Sequence, residues 1–421
     1  MAFKRSNVPG EDIKLAMGMT AERRRLIDET PAAPLVYEYG VNRLAKALHP
    51  GFVKAVIAEK TPCSADCVKI GLVPAASGSG GIDSAGGGID SARGGDPARE
   101  GESACGGEFP YFRAGQFITL SCKAGESFLS RPYSIISSPK EALAGRLEIM
   151  VQRKGIFSTF LIDEAPAGTE LWVGEPSGDF HHDIIRDRNH ILAIAGGSGV
   201  TPFLSMMKAI REGSEDFRLT LVYGARTKAH IPFDPEDFIG DAEGKGTEEN
   251  VNIVVVLSEE EAEGFRHGFI TADLLKEYID DDTSVFMCGP DAMYRFVQGE
   301  LNSLGFDSSK IRQERNSVGD RKVSEIKLYK LTVHIRDAVY ELEAANNETL
   351  ITALERAGIP AVVRCRNGSC GFCHSRVVNG EYFIDNKDDF RRSADKKFNY
   401  IHPCSTYPES DMEIDIPIMN P

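Results

Sequence analysis

The chain has 421 residues, 42% hydrophobic and 26% charged, and at roughly 150 residues per domain that length points to about three domains with cores of their own. Its 63 acidic against 48 basic residues give a formal net charge of -15, the wrong sign for a protein that coats nucleic acid or an anionic membrane. No stretch approaches the ~20 uninterrupted apolar residues of a membrane span, and the first residues lack a signal peptide's apolar core, so a cytoplasmic protein is expected.

Residues 1–48, with AERRRLIDE and EYGVNRLAKAL, read as an N-terminal helical extension whose Arg23–Arg25 run is a solvated face. Two strands with a turn between them follow within 50–73. From 74 to 108 the chain is rich in Gly and Ser, with GGIDSA occurring twice. So little apolar surface cannot offset the entropy of ordering it, which makes this a flexible insertion in a surface loop. FRAGQFITLSC, RPYSIISS, RLEIMVQ and ELWVGEPSG then have the rhythm of a small antiparallel barrel, so 49–186 is read as one β-barrel domain. Over 187–316 strands and helices alternate (HILAIAGG, TPFLSMMKAIREG, RLTLVYGA, VNIVVVLS, ADLLKEYI, SVFMCG), the pattern of an α/β parallel sheet. A polar linker, 317–326, leads to a third, α+β unit over 327–421 with a strand pair, a helix and a cysteine-rich loop.

Nine cysteines are too few for a disulfide scaffold in a chain this long. Cys365, Cys370, Cys373 and Cys404 stand as C-x4-C-x2-C with thirty residues before the fourth, the spacing with which four thiolates hold a plant-type [2Fe-2S] cluster. Gly368 and Gly371 within it let backbone amides turn toward the sulfurs. A zinc site or four unrelated thiols are the alternatives, but zinc sites usually join two short pairs. Cys63, Cys67, Cys105 and Cys122 match no standard motif; ordinary thiols are the default, and a second metal site would need the strands of Cys67 and Cys122 to be neighbours.

Arg131, Pro132, Tyr133 and Ser134 form RPYS at the end of a barrel strand. There an arginine can hold a flavin phosphate, an aromatic can cover the ring and a hydroxyl can reach its reactive nitrogen. Gly155, Ser158 and Thr159 in GIFST open a helix, a second phosphate grip, and two grips suit the pyrophosphate of FAD better than FMN. Gly196, Gly197, Gly199, Thr201 and Pro202 in GGSGVTP follow a strand and open a helix, so the loop suits a nicotinamide dinucleotide although it departs from G-x-G-x-x-G. Cys288, Gly289 and Pro290 end another strand at the sheet edge where ligands bind; a buried inert thiol is the alternative for Cys288.

RPYS, GIFSTF, GGSGVTPF, YGAR and CGPDAM, in that order, resemble the ferredoxin-NADP(H) reductase family, and the tail resembles a plant-type ferredoxin. The arrangement is similar to oxygenase reductases with a C-terminal cluster. The resemblance implies a β-grasp fold for the third unit, with FAD bound over 49–186 and NAD(P)H over 187–316. It places Arg131 on the flavin phosphate, Tyr133 on the ring, Ser134 near its N5, and Ser158 and Thr159 on the pyrophosphate. Thr201 and Cys288 would flank the nicotinamide, Gly224 and Arg226 of YGAR would line its site, and Glu314 matches the family's C-terminal acidic residue facing the flavin. Electrons would then pass from NADH or NADPH to FAD as hydride and singly through the cluster to a partner metalloenzyme. Glu259–Glu261, where a 2'-phosphate would sit, favour NADH; Arg226, Lys228, Arg266 and His267 are the cations that would rescue NADPH. Arg364, Arg366 and Arg376 suggest a redox partner docking near the cluster loop with an acidic or neutral face, a solvated basic loop being the alternative. The rival reading is an electron-transfer or redox-sensing subunit of a larger complex that does not itself oxidise NAD(P)H.

Overall fold

The computed structural model describes residues 52–75, 109–124, 127–238, 250–315, 318, 321–359, 361 and 363–416, with Gly18, Thr20–Glu22 and Arg25 near the start. Those five residues are helical, and Arg25 pairs with Glu22 at 2.6 Å. The rest of the expected extension over 1–48 and nearly all of the expected insertion over 74–108, with Cys105, lie outside the described residues.

Six strands, β1 (Phe52–Pro62), β2 (Cys67–Pro74), β3 (Phe117–Ala124), β4 (Ser127–Ser134), β5 (Leu147–Gln152) and β6 (Glu170–Gly174), form an antiparallel sheet in the order β4-β3-β6-β1-β2-β5. The ends of the order come together: Ile135 bridges Ile149 and Ile136 N donates to Glu148 O at 2.9 Å, so the sheet curls into a barrel. Its interior is filled by side chains such as Ile57, Ile70, Leu72, Ile118, Leu120 and Val151, each at most 1% exposed, which fits a small barrel that is packed and not hollow. Cys67 lies on β2 and Cys122 on β3, and these strands are separated by β6 and β1, so the two thiols are not neighbours. Cys63 instead faces Cys67 across the β1–β2 turn, its N–H donating to Cys67 O at 3.0 Å.

The second sheet is parallel throughout: β7 (His190–Gly196), β8 (Arg218–Ala225), β9 (Val251–Leu257), β10 (Arg266–His267), β11 (Thr283–Cys288) and β12 (Ile311–Glu314), in the order β10-β9-β8-β7-β11-β12. Every residue of β7 and β11 is buried, as expected of strands covered on both faces. Helix Thr201–Arg211 covers one face, and helices Ala272–Lys276 and Asp291–Ser303 cover the other. The chain reverses direction across the sheet between β7 and β11, and ligands bind beyond the C-terminal ends of strands at such a switch point.

In the third sheet β13 (Leu328–Ile335) and β14 (Ala338–Ala345) form a hairpin, and the order is completed by β19 (Met412–Asp415), β15 (Ser375–Asn379) and β17 (Tyr400–Ile401), with β13 and β19 parallel. The short pair β16 (Tyr382–Phe383) and β18 (Tyr407–Pro408) stands beside it. Helix Leu350–Arg356 crosses the sheet with Leu350, Ile351, Ala353 and Leu354 buried, giving a β-grasp unit.

Candidate functional site

Glu314 ends β12 and lies beside Cys288, its register partner at the end of β11. Ser134, the last residue of β4, reaches across from the barrel and donates Oγ to Glu314 Oε2 at 3.5 Å. Three residues from three strands of two sheets thus meet at one buried point. Burial pushes the Glu314 carboxyl up to about 8, so it is protonated at neutral pH and able to donate a hydrogen bond. Burial also drives the Cys288 thiol well above its ordinary value, which makes it a neutral, polarizable wall and not a nucleophile. Tyr294, on the helix after CGPDAM, accepts from Gly289 N at 3.1 Å and donates to Glu314 O, fastening the Cys288–Pro290 loop to β12.

The glycine loop Gly196–Val200 lies against the Cys288–Pro290 loop. A Cβ on Gly199 would sit 2.1 Å from Cys288 O and 2.7 Å from Gly289 N, so only glycine lets the two loops touch. Thr201 Oγ1 donates to Ser198 O at 2.8 Å, bracing the turn, and Pro202 occupies the first turn of the following helix. Gly224 is the last residue paired in register with Gly196 across β7 and β8.

At the other end of that edge, Arg226 Nη2 donates to His230 Nε2 at 2.8 Å, and Lys228 N donates to Glu260 Oε2 at 2.8 Å. Arg266 is drawn off into an ion pair with Glu277 at 2.7 Å. The acidic run therefore lies directly against the Arg226–Lys228 turn, as Glu259 N donating to Arg226 O also shows.

On the barrel, the Tyr133 ring stacks with Phe157, centroids 6.2 Å apart, which joins RPYS to GIFST. Gly155 caps the short helix Ile156–Thr159. Ser158 turns its hydroxyl back on that turn, accepting from Lys154 N and Gly155 N and donating to Gly155 O, each at 2.9 Å. Its oxygen braces the loop, and the half-buried Thr159 is the hydroxyl left nearer solvent. Arg131 directs Nη1 to Ser130 O and to Glu355 of the third unit.

Cys365, Cys373 and Cys404 are buried and Cys370 is exposed. Their sulfurs crowd within hydrogen-bonding reach of one another: Cys365 with Cys370 and Cys404, and Cys404 with Cys373. That crowding holds Cys365 far below an ordinary thiol and lifts Cys370 and Cys404 well above one. Four soft donors gathered at one point fit an iron-sulfur cluster. Cys370 N points to Cys365 Sγ at 3.5 Å and Phe372 N to Cys370 Sγ at 3.4 Å. Left-handed backbone at Arg366, Gly368 and Gly371 curls the loop to make this possible; at Gly368 a Cβ would lie 2.7 Å from Ser405 Oγ.

Known protein families match three segments: the oxidoreductase FAD-binding domain over 110–182, the oxidoreductase NAD-binding domain over 193–299 and the 2Fe-2S iron-sulfur cluster binding domain over 333–409. The chain is 29% identical to the NADH oxidoreductase HCR of Escherichia coli over 311 residues, 73% of this chain and 90% of that one. It is 26% identical to a glycine betaine monooxygenase reductase subunit of Chromohalobacter salexigens over 72% of this chain and 87% of that one. NADH-cytochrome b5 reductase 1 of Dictyostelium discoideum is 31% identical over 203 residues, 47% of this chain and 68% of that protein. The chain belongs to the ferredoxin-NADP(H) reductase family. Its fold as a whole is that of phthalate dioxygenase reductase, with a TM-score of 0.60 and 21% identity over 87% of this reductase and 98% of that chain.

As a member of this family the reductase is an NAD(P)H oxidoreductase that carries FAD and a [2Fe-2S] cluster. Two features of this reductase escape motif reading. Tyr294 is one, and its only trace in the sequence is an aromatic hydroxyl four residues past Pro290. The other is Arg366, expected on the docking face with Arg364 and Arg376. It is buried and bonded to Ser130 O at 2.7 Å, because left-handed backbone at that position turns it inward against β4. Arg364 lies over the Phe372 ring, and of the three only Arg376 is exposed.

Proposed function

We propose that this reductase oxidises NADH at the switch point marked by Ser134, Thr201, Cys288 and Glu314 and delivers electrons one at a time to the metal centre of an oxygenase docking beside the cluster loop. FAD supplies the conversion, taking two electrons as hydride and releasing them singly. The protein's own part is positional. Arg131, Pro132, Tyr133, Gly155, Ser158 and Thr159 would hold and cover the flavin, and neutral Glu314 and the Ser134 hydroxyl would serve as hydrogen-bonding groups toward it. Gly196, Gly197, Gly199, Pro202, Gly224, Arg226, Gly289 and Pro290 shape the nicotinamide channel, and Cys365, Cys370, Cys373 and Cys404 hold the cluster.

The observation that carries this reading is the meeting of Ser134, Cys288 and Glu314 at the switch point, with Ser134 on the same strand β4 that the cluster loop grips four residues earlier at Ser130. At ~3.3 Å per residue, about 13 Å of strand joins the two. NADH is favoured by Glu260 beside Lys228 and by the diversion of Arg266 to Glu277. The oxygenase as acceptor is supported by the likeness to a monooxygenase reductase subunit. A cytoplasmic location is in keeping with the cysteine usage, nine in a long chain with four of them in the cluster motif; no helix among the described residues is long and apolar enough to cross a membrane.

The test is an anaerobic titration with NADH and, separately, NADPH, following flavin absorbance and the cluster's EPR signal. NADH is expected to bleach the flavin and raise the cluster signal, at lower concentration than NADPH. Failure of both dinucleotides to bleach the flavin overturns the reading in favour of a subunit reduced by another protein.

A further inference from the structure

Glu355, next to last in the helix Leu350–Arg356, is buried, its side chain 7% exposed, and it turns toward the barrel. β4 is an edge strand of its sheet, so alternate peptide groups along it need partners from elsewhere. Glu355 Oε1 accepts from Ser130 N at 3.3 Å and Arg131 Nη1 at 3.2 Å, and Oε2 accepts from Arg131 Nη1 at 3.0 Å. Arg366, next to the cluster ligand Cys365, hydrogen-bonds Glu355 Oε1 through Nη2 and Ser130 O through Nε. One carboxylate thus serves two guanidiniums, and the trio carries one positive charge in excess. Arg366 is buried with Glu355, whereas the Arg131 side chain is 31% exposed. Among the described residues the side-chain hydrogen bonds of Arg131 all run through Nη1, and its Nε and Nη2 have no protein partner. Those two nitrogens form the fork with which arginine grips a phosphate.

We propose that Glu355 is a positioning residue for the flavin: by holding one nitrogen of Arg131 it aims the other two at the flavin phosphate, and so links flavin binding to the seating of the cluster loop. This rests on the flavin reading above. With the phosphate in place the charges alternate from Arg366 through Glu355 and Arg131 to the anion; without it two like charges crowd one carboxylate. Linkage makes the effect mutual, because what docking of the loop adds to flavin affinity, the flavin returns to docking. The cluster domain then helps to build the flavin site, and a flavin-free chain has a looser joint between its first and third sheets.

The experiment uses the full chain with its cluster, freed of flavin and titrated with FAD by fluorescence quenching. Glu355→Gln keeps the size and removes the charge. It is expected to weaken FAD binding roughly tenfold, within the about 5- to 150-fold span of such couplings, with the circular dichroism of the cluster unchanged. In an Arg131→Gln background the same substitution is expected to change FAD affinity less than twofold, since its effect runs through Arg131. Should Glu355→Gln lose its cluster, Glu355→Asp, which keeps the charge but draws it back by one methylene, takes its place. Hydrogen exchange gives the reciprocal readout: FAD is expected to slow exchange over 364–367 in the wild type and not in the variant. Unchanged FAD affinity in the variant, or full additivity with Arg131→Gln, overturns the proposal while leaving the flavin reading intact. Absence of FAD binding by the wild type overturns the flavin reading itself.

Discussion

A buried carboxyl group with no charged partner is costly to ionise, and Glu314, held only by the Ser134 hydroxyl, is such a group. Its folded value of about 8 against an ordinary 4.5 means that the folded chain keeps a proton that the unfolded chain gives up. The stability so gained is whole below pH 4.5 and is lost as pH rises toward 8, at about 1.4 kcal/mol per pH unit in between. Denaturation of the flavin-free protein across that window is therefore expected to show a steeper decline for the wild type than for Glu314→Gln. Equal slopes would mean that Glu314 is already ionised in the fold. At this scale the cysteines, RPYS and the glycine loops were legible because each packs its chemistry into a few contiguous residues. Glu355 was not: a glutamate near the end of a short helix looks like any solvated residue, and its partner Arg131 lies 224 positions away.

Among the elements, long strands with apolar alternation or continuous apolar runs were readable, as were the helices Thr201–Arg211, Asp291–Ser303 and Leu350–Arg356. The strands β10, β12, β16, β17 and β18 were not, because two to four residues give no period to detect. β12 matters most, since it carries Glu314. It is held from both ends of its short run: Tyr294 at Glu314 O, and Arg312, whose guanidinium is buried against Asp187 at 2.7 Å and donates to His181 O. Removing one partner of a buried pair strands the other charge, which costs about 3–5 kcal/mol. Asp187→Ala is expected to lower the denaturation midpoint of the nicotinamide sheet accordingly, and adding Arg312→Met should recover much of the loss. A cost under about 1 kcal/mol for the single change would show that β12 does not depend on the pair.

Within residues 52–416, β4 is touched by the parallel sheet at Ser134 and by the third unit's helix and cluster loop at Ser130. A small antiparallel barrel and a parallel sheet could be anticipated from the rhythm of the elements, but the strand orders and the seating of the third unit could not, because the seating rests on side chains distant in sequence: Arg366 at Ser130, Asn367 at Arg315 O and Thr119 Oγ1 at Arg364 O. The cluster loop packs few apolar side chains of its own and leans on four sulfurs, so iron is expected to hold it together. Chelation under anaerobic conditions should raise hydrogen exchange across 363–374 and along β15 and β17 while leaving β7 and β11 protected. Unaltered exchange across the loop would show that protein contacts alone shape it.

The parallel pairing of β13 with β19, Leu331 against Met412, bears on how the protein is made. The strand that opens the third unit waits some eighty residues for its partner, and Cys404 emerges only just before that partner does. The barrel and the parallel sheet have all their strands by residue 314 and can fold on the ribosome while the third unit is still an open hairpin. Flavin has most of its site, all but the brace from Glu355, well before iron has any of its own. Cluster insertion is then the last step of maturation, and a shortage of iron during growth should yield yellow, flavin-loaded chains awaiting their metal.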